Sequence, residues 1–308
     1  MRRTVGVVLL TLGFAALFLA PLLRFHVADR LVVAPSGDTI KTTLTAPGST
    51  YIDGKGTVVE NASLINTTTF KGSPDDSTAD TALWDVFSAV EDTVSTAAVT
   101  YTSARIVLDR KTGALKDGGS HEGDTSAVQT GQSPLFPIGK VEKKTYEVYN
   151  WNANTSWLAG YQGEETVEGI KTYRFAGKVA PTPVGGKIDV PGSLVGMKVP
   201  SVPAQRTYTA DITLWIDPRS GATVKTLQQV HVTLRTEDGV DRATALRGDF
   251  EHTDAARREA AARANSSASR IQLITVTAPL AALFGGALLV GLGAWATGRD
   301  RGTHRADA

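Results

Sequence analysis

The chain has 308 residues, 42% hydrophobic and 20% charged, with a formal net charge of +1 and no cysteine. The charges are unevenly placed, since Thr4 to Leu23 and Ile271 to Gly298 contain no Asp, Glu, Lys, Arg or His. This excludes an ordinary cytosolic protein, a multi-span transporter and a disordered chain, and the lack of cysteine excludes thiol chemistry, zinc–thiolate sites and iron–sulfur clusters.

A helix of about 20 apolar residues crosses a bilayer core of about 30 Å. The first charge-free stretch follows Arg2 and Arg3, an opening shared by secretory signal peptides and uncleaved anchors. Pro21 directly after Ala20 blocks processing there, and cleavage after Ala28 would put His26 where a small residue is needed. Residues 1–24 are therefore predicted to be a short cytoplasmic N-terminus and a first transmembrane helix.

Residues 25–253 read as an antiparallel, β-rich extracytoplasmic domain with packed helices, giving an α+β chain flanked by one transmembrane helix at each end. Alternating and β-branched residues predict strands over 57–70, 97–109, 206–217 and 223–235. Asp53-Gly54-Lys55-Gly56 and Glu168-Gly169 are hairpin turns by composition. Asp109 to Gly113 and Asp217 to Gly221 share the form Asp-x-x-[Ser/Thr]-Gly after an apolar strand, with the Asp placed to cap the turn and the Gly to close it. Residues 80–93 place Leu83, Phe87 and Val90 at spacings of four and three beside Trp84, which predicts an amphipathic helix packed on a sheet. Pro181 to Pro203 holds five prolines, which argue against a helix and an interior strand, yet Ile188, Val190, Leu194, Val195, Met197, Val199 and Val202 are apolar. That loop either covers the core or forms a lid over a hydrophobic cavity.

Residues 254–270 are alanine-rich without a large apolar side chain, and Thr253 is a candidate N-cap; they predict a helical stalk. Residues 271–298 form the second span. Its Gly285, Gly286, Gly291 and Gly293 are read as the ordinary composition of membrane helices, with pairing of the two spans as the alternative. Residues 299–308 form a tail with Arg299, Arg301 and Arg305 against Asp300 and Asp307, and with Arg2 and Arg3 it places both termini in the cytoplasm of a two-pass plasma-membrane protein. The remainder holds 26 of the 32 basic residues, all but Arg2, Arg3, Arg24, Arg299, Arg301 and Arg305, and 29 of the 31 acidic ones. This mildly acidic balance argues against a nucleic-acid partner.

No catalytic set emerges, and the sequence predicts no enzyme, no cofactor and no metal site. The five histidines are scattered, with no HExxH pair, no G-x-S-x-G elbow and no Gly-rich phosphate loop. Asp75, Asp76 and Asp80 lack calcium-loop spacing, and Glu164 and Glu165 point to opposite faces of a strand.

From Leu135 to Phe175 (LFPIGKVEKKTYEVYNWNANTSWLAGYQGEETVEGIKTYRF), with VPGSL at 190–194 and LWIDPRSG at 214–221, the chain resembles the DUF3068 family of actinobacterial envelope proteins, often labelled PorA-type porins. The resemblance implies an envelope protein of two spans. The strands are polar on both faces, which predicts against a lipid-facing barrel. The run VEGIKTYRF followed by LWIDPxSG is also similar to strand pairs of lipoprotein carriers of the LolA and LppX kind, and the double anchor resembles the layout of class B scavenger receptors. These likenesses point to a domain that binds or passes on a lipid-like molecule, with Trp151, Trp157, Tyr173, Phe175 and Trp215 as candidate cavity aromatics. The expected partners are the bilayer and that ligand; a channel, as the label suggests, or a scaffold for another envelope protein are the alternatives.

Overall fold

With no charge to solvate, both terminal stretches fold as helices, in which backbone groups are satisfied internally. The computed structural model describes residues 2–298, and the predicted cytoplasmic tail at 299–308 lies outside them. Residues 2–33 and 266–298 form one unit and Ala34–Asn265 another. In the first unit, α1 (Arg2–Leu22) passes through a π-turn at Leu23–Val27 into α2 (Ala28–Leu31). At the other end of the chain α3 (Asp254–Gln272) passes through a π-turn at Leu273–Thr277 into α4 (Ala278–Gly298). Both helical runs are long and apolar enough to cross a membrane.

α1 and α4 pack against each other, and glycine sets how closely. A Cβ on Gly13 would lie 2.8 Å from the Gly286 carbonyl oxygen, and one on Gly286 would lie 2.8 Å from that of Gly13. Gly6 and Gly293 repeat the contact, at 3.1 and 2.8 Å. Each helix thus presents a glycine every seven residues, the repeat that keeps one seam facing its partner. Buried Ala20 and Pro279 extend the two rows. Gly285 and Gly291 meet nothing within 4 Å. The reading of these glycines as mere composition therefore holds for two of the four and fails for Gly286 and Gly293, whose missing side chains allow the helices to meet. A Cβ on Gly6 would also lie 3.3 Å from Ala296 Cβ, near the separation a disulfide bridges. In a chain with no native cysteine, the pair Gly6→Cys with Ala296→Cys should cross-link within the chain in membranes, and Gly6→Cys with Gly291→Cys should not. Equal yields, read by peptide mass spectrometry, would contradict the packing.

The second unit is an antiparallel half-barrel. Its strands are β1 (Thr39–Ile52), β2 (Val58–Ser73), β3 (Thr81–Asp92), β4 (Ala98–Asp109), β5 (Leu115–His121), β6 (Tyr146–Asn150), β7 (Thr155–Val167), β8 (Ile170–Pro191), β9 (Ser201–Ile216), β10 (Thr223–Thr236) and β11 (Asp241–His252). They lie in one sheet in the order β5-β4-β3-β2-β1-β11-β10-β9-β8-β7-β6. Two meanders are thus joined where β1 pairs with β11. The edge strands are stitched by the segment between them. Leu115 N–H donates to the Gly131 carbonyl, Gln132 N–H to that of Glu147 and Tyr149 N–H to that of Gln132. Gly131 takes φ +86°, and a Cβ there would lie 2.5 Å from the Glu147 carbonyl oxygen, so only glycine fits the seam.

The four predicted strands are β2, β4, β9 and β10, and both predicted hairpins are present, Glu168 and Gly169 at φ +47° and +75°. The predicted helix over 80–93 is a strand instead. In β3 the residues Ala82, Trp84, Val86, Ser88 and Val90 alternate inward, while Phe87, counted as part of a helical face, is 52% exposed. The segment contains both periods, and pairing with β2 and β4 selects the shorter one.

The proline-rich segment is also largely strand. β8 runs through Pro181 and Pro183, and Pro203 lies in β9, with only Gly192–Val195 forming a 3₁₀ turn. β7 pairs with β8 only as far as Ala176, so the outer edge of the prolines has no neighbour to receive an N–H. Register shifts at Val179/Thr182 and Val184/Ile188 absorb the irregularity.

The alanine-rich helix does more than stand as a stalk. Thr253 caps it, its Oγ1 accepting from Ala256 N–H. Ala261 and Ala264 are buried against Val167, Ile170, Trp215 and Val224 on the outside of the sheet. Small side chains bury little area each but let the helix backbone come close to the strands.

Candidate functional site

One end of the barrel is filled and the other holds a cavity. The turns after β2, β4, β7 and β9 lie at the filled end, as the alternating strand directions require. There Phe136 stacks on Phe175 with ring centres 5.4 Å apart and meets Tyr146 edge-on at 5.1 Å. The two related turns hold this plug in place. Asp109 Oδ1 accepts from the Lys111 and Thr112 amides, and Asp217 Oδ1 accepts from that of Arg219. Gly113 and Gly221, at φ +69° and +77°, close the turns. A Cβ on Gly113 would lie 3.0 Å from the Leu135 carbonyl oxygen, and one on Gly221 would lie 2.4 Å from that of Phe136. Phe136 N–H donates to the Gly221 carbonyl. The shared turn motif thus forms a cradle for the Leu135-Phe136 loop.

The cavity at the opposite end has a volume of about 1140 Å³. Val230, Val232 and Leu234 of β10 and Leu246 and Phe250 of β11 form an aliphatic and aromatic wall. Val184, Ile188 and Val190 of β8 face them. Tyr208 lies on the floor, where burial pushes its hydroxyl up to about 12, so the phenol stays neutral; Asn150 Nδ2 lies 3.5 Å from its oxygen. The mouth lies between the free upper part of β8 and the Ala98–Ser103 stretch of β4, which β5 does not reach. His121 Nε2, 2.8 Å from the Trp151 carbonyl oxygen, links the two sides below it.

Of the seven apolar residues of the proline-rich segment, Ile188, Val190 and Leu194 line this cavity. Val195 and Val202 are buried beside them in a cluster with Leu234, Met197 packs against that cluster, and Val199 is exposed. None of the five candidate aromatics is on the lining. Phe175 stacks on Phe136 in the plug, Trp157 is buried in the same core cluster, Tyr173 packs against that cluster, and Trp151 meets Phe70 and Tyr149 edge-on. Trp215 faces outward, its Nε1 donating to Glu165 Oε2 while Glu164 on the other face pairs with Lys143 and Lys171. Sequence reasoning missed Asn66, Tyr208 and Arg206 on the cavity wall, because membership depends on strand register. Among the described residues no group of three His, Cys, Asp or Glu could hold a metal ion.

An antiparallel barrel with an internal cavity, in a chain whose two terminal helical runs are apolar enough to span a bilayer, defines the class. The chain belongs to the Porin PorA family, whose model matches residues 5–295. Among curated proteins none matches the chain.

Proposed function

We propose that the chain is a two-pass plasma-membrane protein of the cell envelope, with both termini cytoplasmic, whose extracytoplasmic barrel binds or passes on a hydrophobic, lipid-like molecule. The observation that carries this reading is the cavity of about 1140 Å³, above the range of about 300–1,000 Å³ typical of small-molecule sites. Its apolar wall continues into Ile188, Val190 and Leu194 of the proline-rich segment, which act as its lid. Arg2 and Arg3 before the first span support the orientation. The reading is of binding rather than catalysis, in keeping with a sequence without a catalytic motif, and the mildly acidic balance disfavours nucleic acid.

Native mass spectrometry of the full chain in detergent tests it. Lipid should co-purify with the wild type and be lost from Val232→Trp, which fills the cavity; an empty wild-type protein would overturn the reading.

The family description favours a second reading, a porin-like channel. Cross-strand ion pairs on the outer face, Lys225–Glu251 at 2.7 Å, Arg235–Asp241 at 2.8 Å and Arg105–Asp85 at 2.8 Å, support a barrel surrounded by water rather than lipid. Conductance of the purified chain in planar bilayers would favour the channel.

A further inference from the structure

Strand alternation along β9 puts Ala204, Arg206, Tyr208, Ala210 and Ile212 in one inward row. Four of these five are buried, and Arg206 is the charged exception. Its register partners are Val184 on β8 and Leu234 on β10, both apolar and both on the cavity wall. Across the outer face Lys178 meets Asp211 and Lys225 meets Glu251. Arg206 forms no ion pair among the described residues. Asp53, Glu122 and Asp189 also line the cavity; Asp53 is engaged by the Lys55 and Thr57 amides of its own turn, and none of the three forms an ion pair with Arg206.

An inward-facing guanidinium with aliphatic neighbours and no carboxylate of its own lacks a structural role in the sheet. It is exposed although Ala204 and Tyr208, its neighbours in the row, are buried, so water reaches the guanidinium and its charge is not desolvated. Deeper in, Val230, Val232, Leu246 and Phe250 offer apolar surface, with Asn66 and Tyr208 as polar groups on the same wall. The arrangement is amphiphilic, with a cation beside an aliphatic and aromatic wall. The guanidinium fork matches a carboxylate or a phosphate with two parallel N–H···O bonds.

We propose that Arg206 selects the head group of the bound molecule, and that the ligand is an anionic amphiphile whose carboxylate or phosphate meets Arg206 while its acyl chain fills the cavity. This rests on the reading of the cavity as a lipid-like site. The shared chemistry is an oxyanion on a hydrocarbon chain.

The experiment uses the full chain in native membranes and three photoreactive probes, a diazirine-bearing palmitic acid, the corresponding alcohol and the corresponding monoacyl phosphate. Labelled peptides are mapped by mass spectrometry, with those from the two helical spans as an internal control. In the wild type, the acid, the phosphate or both should label cavity peptides such as those containing Val184 and Val232. Labelling by the acid alone identifies a carboxylate, and labelling by the phosphate alone a phosphate. Arg206→Gln should lower that labelling at least about tenfold while leaving labelling by the alcohol and labelling of the spans unchanged. Arg206→Lys should restore part of it. Anionic labelling unaffected by Arg206→Gln, or an equal fall for the alcohol, would overturn the role of Arg206 while leaving the cavity site intact. No barrel labelling by any probe in the wild type would overturn the cavity reading and this one with it.

Discussion

Replacing Phe136 with alanine should destabilise the barrel by about 3–5 kcal/mol, the cost of removing a large buried aromatic and leaving a void. Phe136 is buried and shares ring contacts with Tyr146 and Phe175, which also meet each other at 5.6 Å. The side chain is held from two sides, because its backbone is fixed between the two Asp-capped turns. Collapse of the neighbours into the space is therefore restricted, which favours the upper part of that range. Denaturant unfolding of the full chain, followed by tryptophan fluorescence, measures the effect. Tyr101→Ala, at a position 70% exposed, is the control and should stay within about 0.5 kcal/mol. A loss below about 1 kcal/mol for Phe136→Ala would mean that the plug is loosely packed.

The same substitution bears on how a porin-family chain works. A conducting path along the barrel axis would have to pass the Phe136–Tyr146–Phe175 cluster, whereas for a pocket that cluster is only the packed end of the core behind it. If the barrel conducts, Phe136→Ala widens the narrowest point and raises conductance. If it is a pocket, the substitution changes stability and leaves conductance at background. The helix pair offers no path of its own within one chain, since α1 and α4 meet through glycine at backbone contact.

What the sequence made legible divides along physical lines. Strands solvated on one face and buried on the other announce themselves by alternation, and β2, β4, β9 and β10 were readable for that reason. The Asp-x-x-[Ser/Thr]-Gly turns were readable because their chemistry is local. β3 was not, since Leu83, Phe87 and Val90 imitate a helical face and only the neighbouring strands show that Trp84 points inward. The prolines of β8 misled for the same reason, because which edge of a strand is free depends on how far β7 extends. Gly286 and Gly293 differ from Gly285 and Gly291 only in the helix that lies against them. For the candidate site, Ile188, Val190 and Leu194 on the cavity wall were legible as apolar residues set among prolines. The aromatics drew attention by size, although size places them at the packed end, and Arg206 was invisible until register put it beside Val184 and Leu234.

Acidification should weaken the barrel well before its carboxylates titrate, through His252. The ring is buried at the end of β11, where the Thr226 N–H donates to Nδ1 at 2.8 Å. An accepting Nδ1 leaves the proton on Nε2, which lies 2.6 Å from Thr42 Oγ1 and donates to it. Burial first, then the positive charges of Arg263 and Arg257 on α3 and of Lys225 on β10, opposed by Glu251, bring its pKa from 6.5 down to about 4. A histidine depressed in the folded state binds its proton more readily when unfolded. Its contribution is therefore complete above pH 6.5 and is lost as pH falls from 6.5 to about 4, a total on the order of 3 kcal/mol. The depressed carboxylates act in a lower window: Asp109, which burial pushes up but Lys116 and the Thr112 and Lys111 amides bring down to about 2, loses its contribution only below its ordinary 3.8. Denaturant midpoints of the full chain should fall between pH 7 and pH 4.5. In His252→Asn, whose side-chain oxygen can still accept from Thr226 N–H, the barrel should start less stable at pH 7 and lose less over the same interval. An identical pH dependence in both proteins would show that His252 is not the group responsible, whereas a flattened one assigns the acid sensitivity to a single ring held between β1, β10 and the arginines of α3.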